Sequence, residues 1–543
     1  MKKKSVKILK CISGILAGAV LISSLAGCKK QSAANKTGGE NEISCWMPLT
    51  SNMALYTSNF GETELAKELE KRTGVKVNYI HPPQGQESEK FSILVASSDL
   101  PDIIEYNWVT YPGGPAKAIK EGVIVDIGKY RDKAVNLFKY LDENSEIYKM
   151  VTTDNKEVFS FPFIRGDKSL GYSTGLVLRG DWLKELNLEI PRNIEEWENV
   201  LYAFKDKKGA KAPFSSLTVE YFASGFDATA DYYVEDGKVK YGPLDPQFKD
   251  YITKMRDWYK KGLIDQSFTT LDGKAKETNI LNGFSGATSG SVGSGIGKWM
   301  SAAKTEGYSL EGAPFPTADL SRKAKFGVYQ IQVTPSTRSF DAISTSCKNI
   351  DAAVKFLDYG YGEEGRMLYN FGIEGVSYEM KDNYPTYTDL ILKNPENKSM
   401  TVALSNYARS YDAGPFIQDV RYMEQYASLD EQKRAIKVWS ESEAYEHTLP
   451  HLYVKTEELN EFAQLNTDID TYVDEMIMKF IIGAEPLENY DNMISQLHKR
   501  GIDRLLQMRQ SAVHLGLPSV QETSLIGHHL TQPHNLYLKN ATF

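Results

Sequence analysis

Flat aromatic rings beside planar hydrogen-bonding groups suit a ligand that offers both hydroxyls and apolar C–H faces. Several residues of this chain have those types in suggestive places. Trp46, Trp108 and Trp299 each fall at the end of an expected strand or beside a glycine-rich stretch, and Tyr106 precedes Trp108 by two positions. Arg179 can make a bidentate contact to a hydroxyl pair or a carboxylate, or an ion pair with Asp181 or another acid. Glu374 lies near two glycines, with Tyr378 following, and is either a ligand contact or a structural cap. Arg409 and Tyr411 occupy a Ser/Asn/Gly-rich turn that fits a loop over a cleft. Trp182, Trp197, Trp258 and Trp439 lie within helical patterns and are expected to pack.

Catalysis finds no positive support. Two carboxylates across a cleft, for example Asp181 and Glu374, would serve glycoside hydrolysis. With 71 acidic residues in the chain, such pairs arise without design. The stretch Ser285 to Ser294 holds no Gly-x-Ser-x-Gly elbow. Gly293-Ser294-Gly295-Ile296-Gly297 lacks the lysine and spacing of a phosphate loop, and no Cys/His cluster has zinc spacing. The chain is therefore read as a non-enzyme with no cofactor and no metal. Cys45 and Cys347 either pair as a disulfide or remain two buried thiols; spacing alone does not decide.

The elements that must position these residues begin after an amino-terminal leader. Five lysines precede an apolar run from Ile12 to Ile22, too short for the roughly 20 residues of a spanning helix, and Leu25-Ala26-Gly27-Cys28 follows. This is the pattern of a secretory signal over 1–27. Its end resembles the lipobox of bacterial lipoproteins, which implies a diacylglyceryl anchor on Cys28 and a membrane association that one acyl chain cannot secure. Residues 28–41 read as a polar tether. Losing the five lysines takes the formal charge from −8 to −13, which disfavours nucleic acid.

The remaining chain exceeds one ordinary core, so two lobes are expected. Strands are expected at Glu42–Trp46, Val75–Ile80, Ile103–Glu105 and Leu176–Arg179, with a return strand at Ile331–Val333. Helices are expected at Thr63–Thr73 (closed by Gly74), Phe91–Ser98, Ile194–Phe204, Asp250–Lys260 and Leu459–Ile482. Alternating helices and strands indicate an α/β fold with a mainly parallel sheet, whose ligands sit beyond the strands' carboxyl ends. Half of the eight histidines fall at His514, His528, His529 and His534, in a segment without periodicity. Residues 513–543 are read as an unstructured tail.

Ordered blocks carry a family resemblance. They are Asp99-Leu100-Pro101-Asp102-Ile103-Ile104-Glu105, Tyr111-Pro112-Gly113-Gly114, Arg179-Gly180-Asp181-Trp182-Leu183, Gly262-Leu263-Ile264-Asp265, Gly295-Ile296-Gly297-Lys298-Trp299 and Asn370-Phe371-Gly372-Ile373-Glu374-Gly375. Over about residues 42–512 the chain resembles the large lipoprotein branch of family 1 extracellular solute-binding proteins. The resemblance implies a two-lobed, type II periplasmic-binding-protein-like α/β fold with crossing hinge strands and a helical carboxyl-terminal region. The first lobe would take 42–165 and 318–348, the second 166–317 and 349–512. It further implies a monomer that captures an oligosaccharide between its lobes and hands it to the membrane permease subunits of an ABC importer. The alternatives are a surface-anchored glycoside-processing enzyme and a sugar sensor feeding a membrane kinase. Two departures stand out. Asp206-Lys207-Lys208-Gly209-Ala210-Lys211 has one carboxylate where relatives carry an acidic calcium loop, so no calcium is expected there, and the histidine-rich ending is unlike the family's.

Overall fold

In the computed structural model, residues 41–516 are described, apart from Ser98, Asn397, 410–412 and 451–453. The expected signal, Cys28 and its tether, Tyr411 and nearly all of the tail lie outside the described residues.

The first lobe is built on a five-stranded sheet of β1 (Glu42–Trp46), β2 (Lys76–Ile80), β3 (Ile103–Tyr106), β4 (Phe161–Pro162) and β9 (Phe340–Ile343), in the order β2-β1-β3-β9-β4. The first three strands run parallel, and β9 is antiparallel to both neighbours. All four residues of β3 are buried, as in a strand covered on both faces. The helix Glu64–Thr73 starts where the Thr63 hydroxyl accepts from the Ala66 N–H at 3.1 Å, and ends at Gly74 with φ 67°. The Gly74 C-cap matches the sequence reading, and Thr63, read as the first helical residue, is the N-cap.

The second lobe holds β6 (Thr174–Arg179) between β7 (Ala287–Ser291) and β8 (Leu310–Ala313), antiparallel to both. The expectation of mainly parallel sheets thus holds only for part of the first lobe. Helices Ile194–Lys208 and Pro246–Lys260 bury Trp197, Phe204, Tyr251 and Trp258 on this sheet. The 24-residue helix Leu459–Ile482, bounded as its periodicity indicates, packs along Pro246–Lys260. No helix among the described residues is long and apolar enough to cross a membrane.

The chain crosses between lobes where β5 (Ile164–Arg165) pairs in parallel with β10 (Ile417–Gln418). Buried Arg165 braces this crossing, its guanidinium donating to Ile331 O at 3.0 Å and to Gln330 Oε1 at 2.8 Å. Residues 331–333 are not a strand. A backbone bond ties them to β5, Arg165 N–H to Gln332 O, and the return strand is β9.

Two lobe boundaries need correction. Ala324 and Val328 pack with Phe315 and Trp439 in the second lobe, so the return crossing comes after 318. Helix Ile350–Asp358 belongs to the first lobe, where Ala353, Val354 and Leu357 share a core with Ile43 and Ile343. Its apolar stripe shows that one face is buried, but not against which sheet. The segment from Phe371 to Tyr422 forms its own small core and is tied to the first lobe by Leu65 N–H to Asn406 O at 3.0 Å. Helix Ile502–Gly516 carries the packed chain past Ala512, because Val513 is also buried.

Candidate functional site

Between the lobes lies a cavity of about 280 Å³ that opens into a second of about 530 Å³. Asn52, Gly293, Ser294, Thr401 and Tyr426 border both. The first lobe contributes the Thr50–Asn52 turn, where the Thr50 hydroxyl caps a short helix by accepting from Met53 N–H at 3.1 Å. The second lobe contributes the glycine-rich segment, which winds as a wide π-type turn over Val292–Gly297 before the helix Lys298–Ala302. Such turns are uncommon and concentrate at functional sites.

The aromatic surface of the cleft is a tyrosine pair. Tyr422 and Tyr426 sit four residues apart on the helix Val420–Tyr426, which places both on one face. Their rings stack with centroids 5.5 Å apart and planes 20° apart. The second ring requires Gly293: a Cβ there would lie 1.9 Å from the Tyr426 hydroxyl. Gln418, only 2% exposed, lines the inner cavity, and its Nε2 has no hydrogen-bond partner. A buried amide donor left without an acceptor is costly, and Gln418 is among the residues that line the inner cavity. None of these three residues was singled out from sequence. The i, i+4 tyrosines after the helix-capping Asp419 were a legible signal.

Behind the first-lobe wall lies a buried charge cluster. Arg409 Nη2 meets Glu105 Oε2 at 2.5 Å, with side chains 4% and 2% exposed. Asp341 stands directly opposite Glu105 in the β3–β9 register. The Arg409 charge thus acts on both carboxylates. Burial, reinforced by the Glu105 charge, holds Asp341 well above the usual carboxylate range. His81 braces the same wall: its Nδ1 lies 2.9 Å from Met47 O and its Nε2 accepts from Phe60 N–H at 3.1 Å. This arrangement requires the neutral ring, and burial lowers its pKa.

Most residues expected in a cleft turn out to be core. Trp46 and Tyr106 pack against each other and on Phe91, with the Tyr106 and Phe91 rings 4.1 Å apart. Trp108 is fully buried and donates its indole N–H to Ile104 O at 3.1 Å. Trp299 lies beneath the glycine-rich segment; a Cβ on Gly290 would sit 2.8 Å from its ring. Strand ends and glycine loops attract aromatics for packing as readily as for binding. Arg179 takes its alternative role, with Nε 2.8 Å from Asp181 Oδ1 and its guanidinium 4.5 Å from the Trp182 ring. Arg409 does line the inner cavity, but its guanidinium is turned inward to Glu105. Exposed Glu374 and buried Tyr378 border a different cavity of about 720 Å³ within the first lobe. Asp181 and Glu374 thus share no cleft. Cys45 and Cys347 are both free and buried, not bridged. Asp206 is exposed near the end of its helix, and among the described residues no His/Cys/Asp/Glu group forms a metal-binding cluster.

Two lobes, crossing strands and a cleft at the crossing define a solute-binding protein, in which the hinge closes on what the cleft holds. The chain belongs to the bacterial extracellular solute-binding protein family, whose model matches residues 58–367. It is 24% identical over 514 residues to the lipoprotein LipO of Bacillus subtilis (strain 168), covering 89% of this chain and 94% of LipO. It is also 24% identical over 530 residues to FusA, the fructooligosaccharide ABC transporter substrate-binding protein of Streptococcus pneumoniae serotype 4 (strain ATCC BAA-334 / TIGR4), covering 85% and 88% of the two chains. Among solved structures, the alginate-binding protein AlgQ2 without calcium superposes with a TM-score of 0.69 at 24% identity, over 87% of this chain and 98% of that one.

Proposed function

We propose that this protein captures an oligosaccharide between its lobes and delivers it to the membrane permease of an ABC importer. The observation that carries the proposal is the unpartnered Gln418 amide beside the Tyr422–Tyr426 stack. Together they offer a polar amide and a flat apolar face, the two things a sugar ring asks of a site. The Asn52 and Ser294 side chains add polar groups that make no hydrogen bond to described protein residues. The similarity to FusA, whose name specifies a fructooligosaccharide, supports this class of ligand. No bond need be broken, since capture and release suffice.

Calorimetric titration with a panel of neutral and acidic oligosaccharides tests the reading. Binding by at least one member is expected, weakened severalfold or more in Gln418→Met with no loss of unliganded stability. A wild-type protein that binds none of the panel contradicts it. Cys28, in the Leu25-Ala26-Gly27-Cys28 sequence, is proposed as the lipid-bearing residue. Cys28→Ser should release the protein from membranes, and unchanged membrane partitioning would count against the anchor.

A further inference from the structure

The two halves of the cleft differ in what they leave available to a ligand. In the inner cavity, Gln418 Nε2 is unpartnered, and Asn52 and Ser294 at the junction have no protein partner among the described residues. Beyond Tyr426 most of the polar groups are already engaged, exposed Ser428 being the exception. Gln432 donates to Val292 O at 2.8 Å and accepts from Leu429 N–H at 3.0 Å. Ser301 donates to Gly297 O at 2.8 Å, Ser399 and Thr401 share a bond of 3.1 Å, and Lys298 reaches Glu277 at 2.6 Å.

What the outer cavity offers is aliphatic: Leu55, Met400, Val402, Ala302 and Leu429. Leu55 is 75% exposed, more than any other large apolar side chain among the described residues. A sugar ring stacks on flat surfaces, whereas branched and flexible side chains fit methyl, acyl and alkyl groups. Clustered exposed apolar side chains that continue a binding cleft mark ligand contact.

We propose that the preferred ligand is a saccharide carrying an apolar substituent, an acyl or alkyl group or an aglycone, which lodges in the outer cavity against Leu55, Met400 and Val402 while the sugar occupies the inner one. This rests on the oligosaccharide reading above. The hydroxyl-bearing end meets Gln418 and the tyrosine pair, and the substituted end lies toward Leu55 at the mouth.

The test uses the full-length protein and matched pairs of probes: each oligosaccharide of the panel in free form and as its n-butyl glycoside, compared by calorimetry. For a saccharide that binds, the butyl form should bind at least about tenfold tighter, because each buried methylene contributes severalfold. Leu55→Ser, a change at an exposed position, should remove most of that gain and leave binding of the free sugar unchanged. Equal affinities for the two forms, or a gain that survives in Leu55→Ser, would overturn the inference while leaving the oligosaccharide reading intact. If neither form of any saccharide binds, both readings fall together.

Discussion

The two walls of the cleft are held by different physics. The first-lobe wall rests on the buried Arg409–Glu105 pair, with Asp341 opposite and His81 bracing Met47 and Phe60. The second-lobe wall is a backbone surface, a π-type turn whose glycines let Tyr426 and Trp299 approach closely. A change on the first wall should therefore register as stability and pH dependence. A change on the second should register as affinity.

The largest expected effect comes from splitting the buried pair. Arg409→Ala removes the guanidinium paired with buried Glu105, and should cost about 3–5 kcal/mol in chemical denaturation. A cost below 1 kcal/mol would mean that the pair is not the wall's support. On the opposite wall, Gly293→Ala drives a methyl into the Tyr426 phenol, which must swing away. Affinity should fall by the worth of an aromatic platform, about 0.5–1.5 kcal/mol, with a smaller change in melting temperature. If Gly293→Ala proves destabilising with affinity intact, the contrast between the walls fails.

Asp341→Asn refines the comparison. Asp341 has a raised pKa in the fold, so it favours the folded state below its unfolded pKa of about 3.9 and erodes stability as pH rises from there through the folded value. The neutral amide avoids that erosion. The variant should match wild type near pH 4 and be the more stable protein at pH 7, which pH-dependent thermal melts will show. An Asp341→Asn protein that is less stable at pH 7 would place an ionised carboxylate there.

The smallest effect is at His81, whose pKa is lowered. Its contribution is complete above the unfolded value of about 6.5 and is lost as pH falls from there through the folded pKa. His81→Gln, which can keep both hydrogen bonds, should flatten that part of the stability profile. An unchanged slope below pH 6.5 would remove His81 from the account.

The same contrast explains what could be read from the sequence. Elements with local punctuation were legible: Gly74 closes one helix, and unbroken periodicity delimits Leu459–Ile482. Non-local choices were not. The stripe on Ile350–Asp358 is satisfied by either lobe's sheet, and only the folded chain shows that it covers the first. Strand β3 is buried throughout, so no alternation separates a core-facing Tyr106 from a cleft-facing one. All seven tryptophans are buried, and the cleft is furnished instead by tyrosine, glutamine and small hydroxyl residues whose types are common everywhere in the chain. Arg409 shows the limit most clearly. Its position beside the cleft was legible, but the direction of its guanidinium depends on Glu105, 304 residues away.

The central claim is that a solute is held in the cavity lined by the tyrosine pair and the glycine-rich turn. Amide hydrogen exchange with and without a bound oligosaccharide from the panel tests it directly. The account predicts ligand-dependent protection in peptides covering 291–297, 400–409 and 417–426, on both sides of the cleft. Protection confined to 136–143 and 374–383, around the first-lobe cavity of Glu374 and Tyr378, would contradict it.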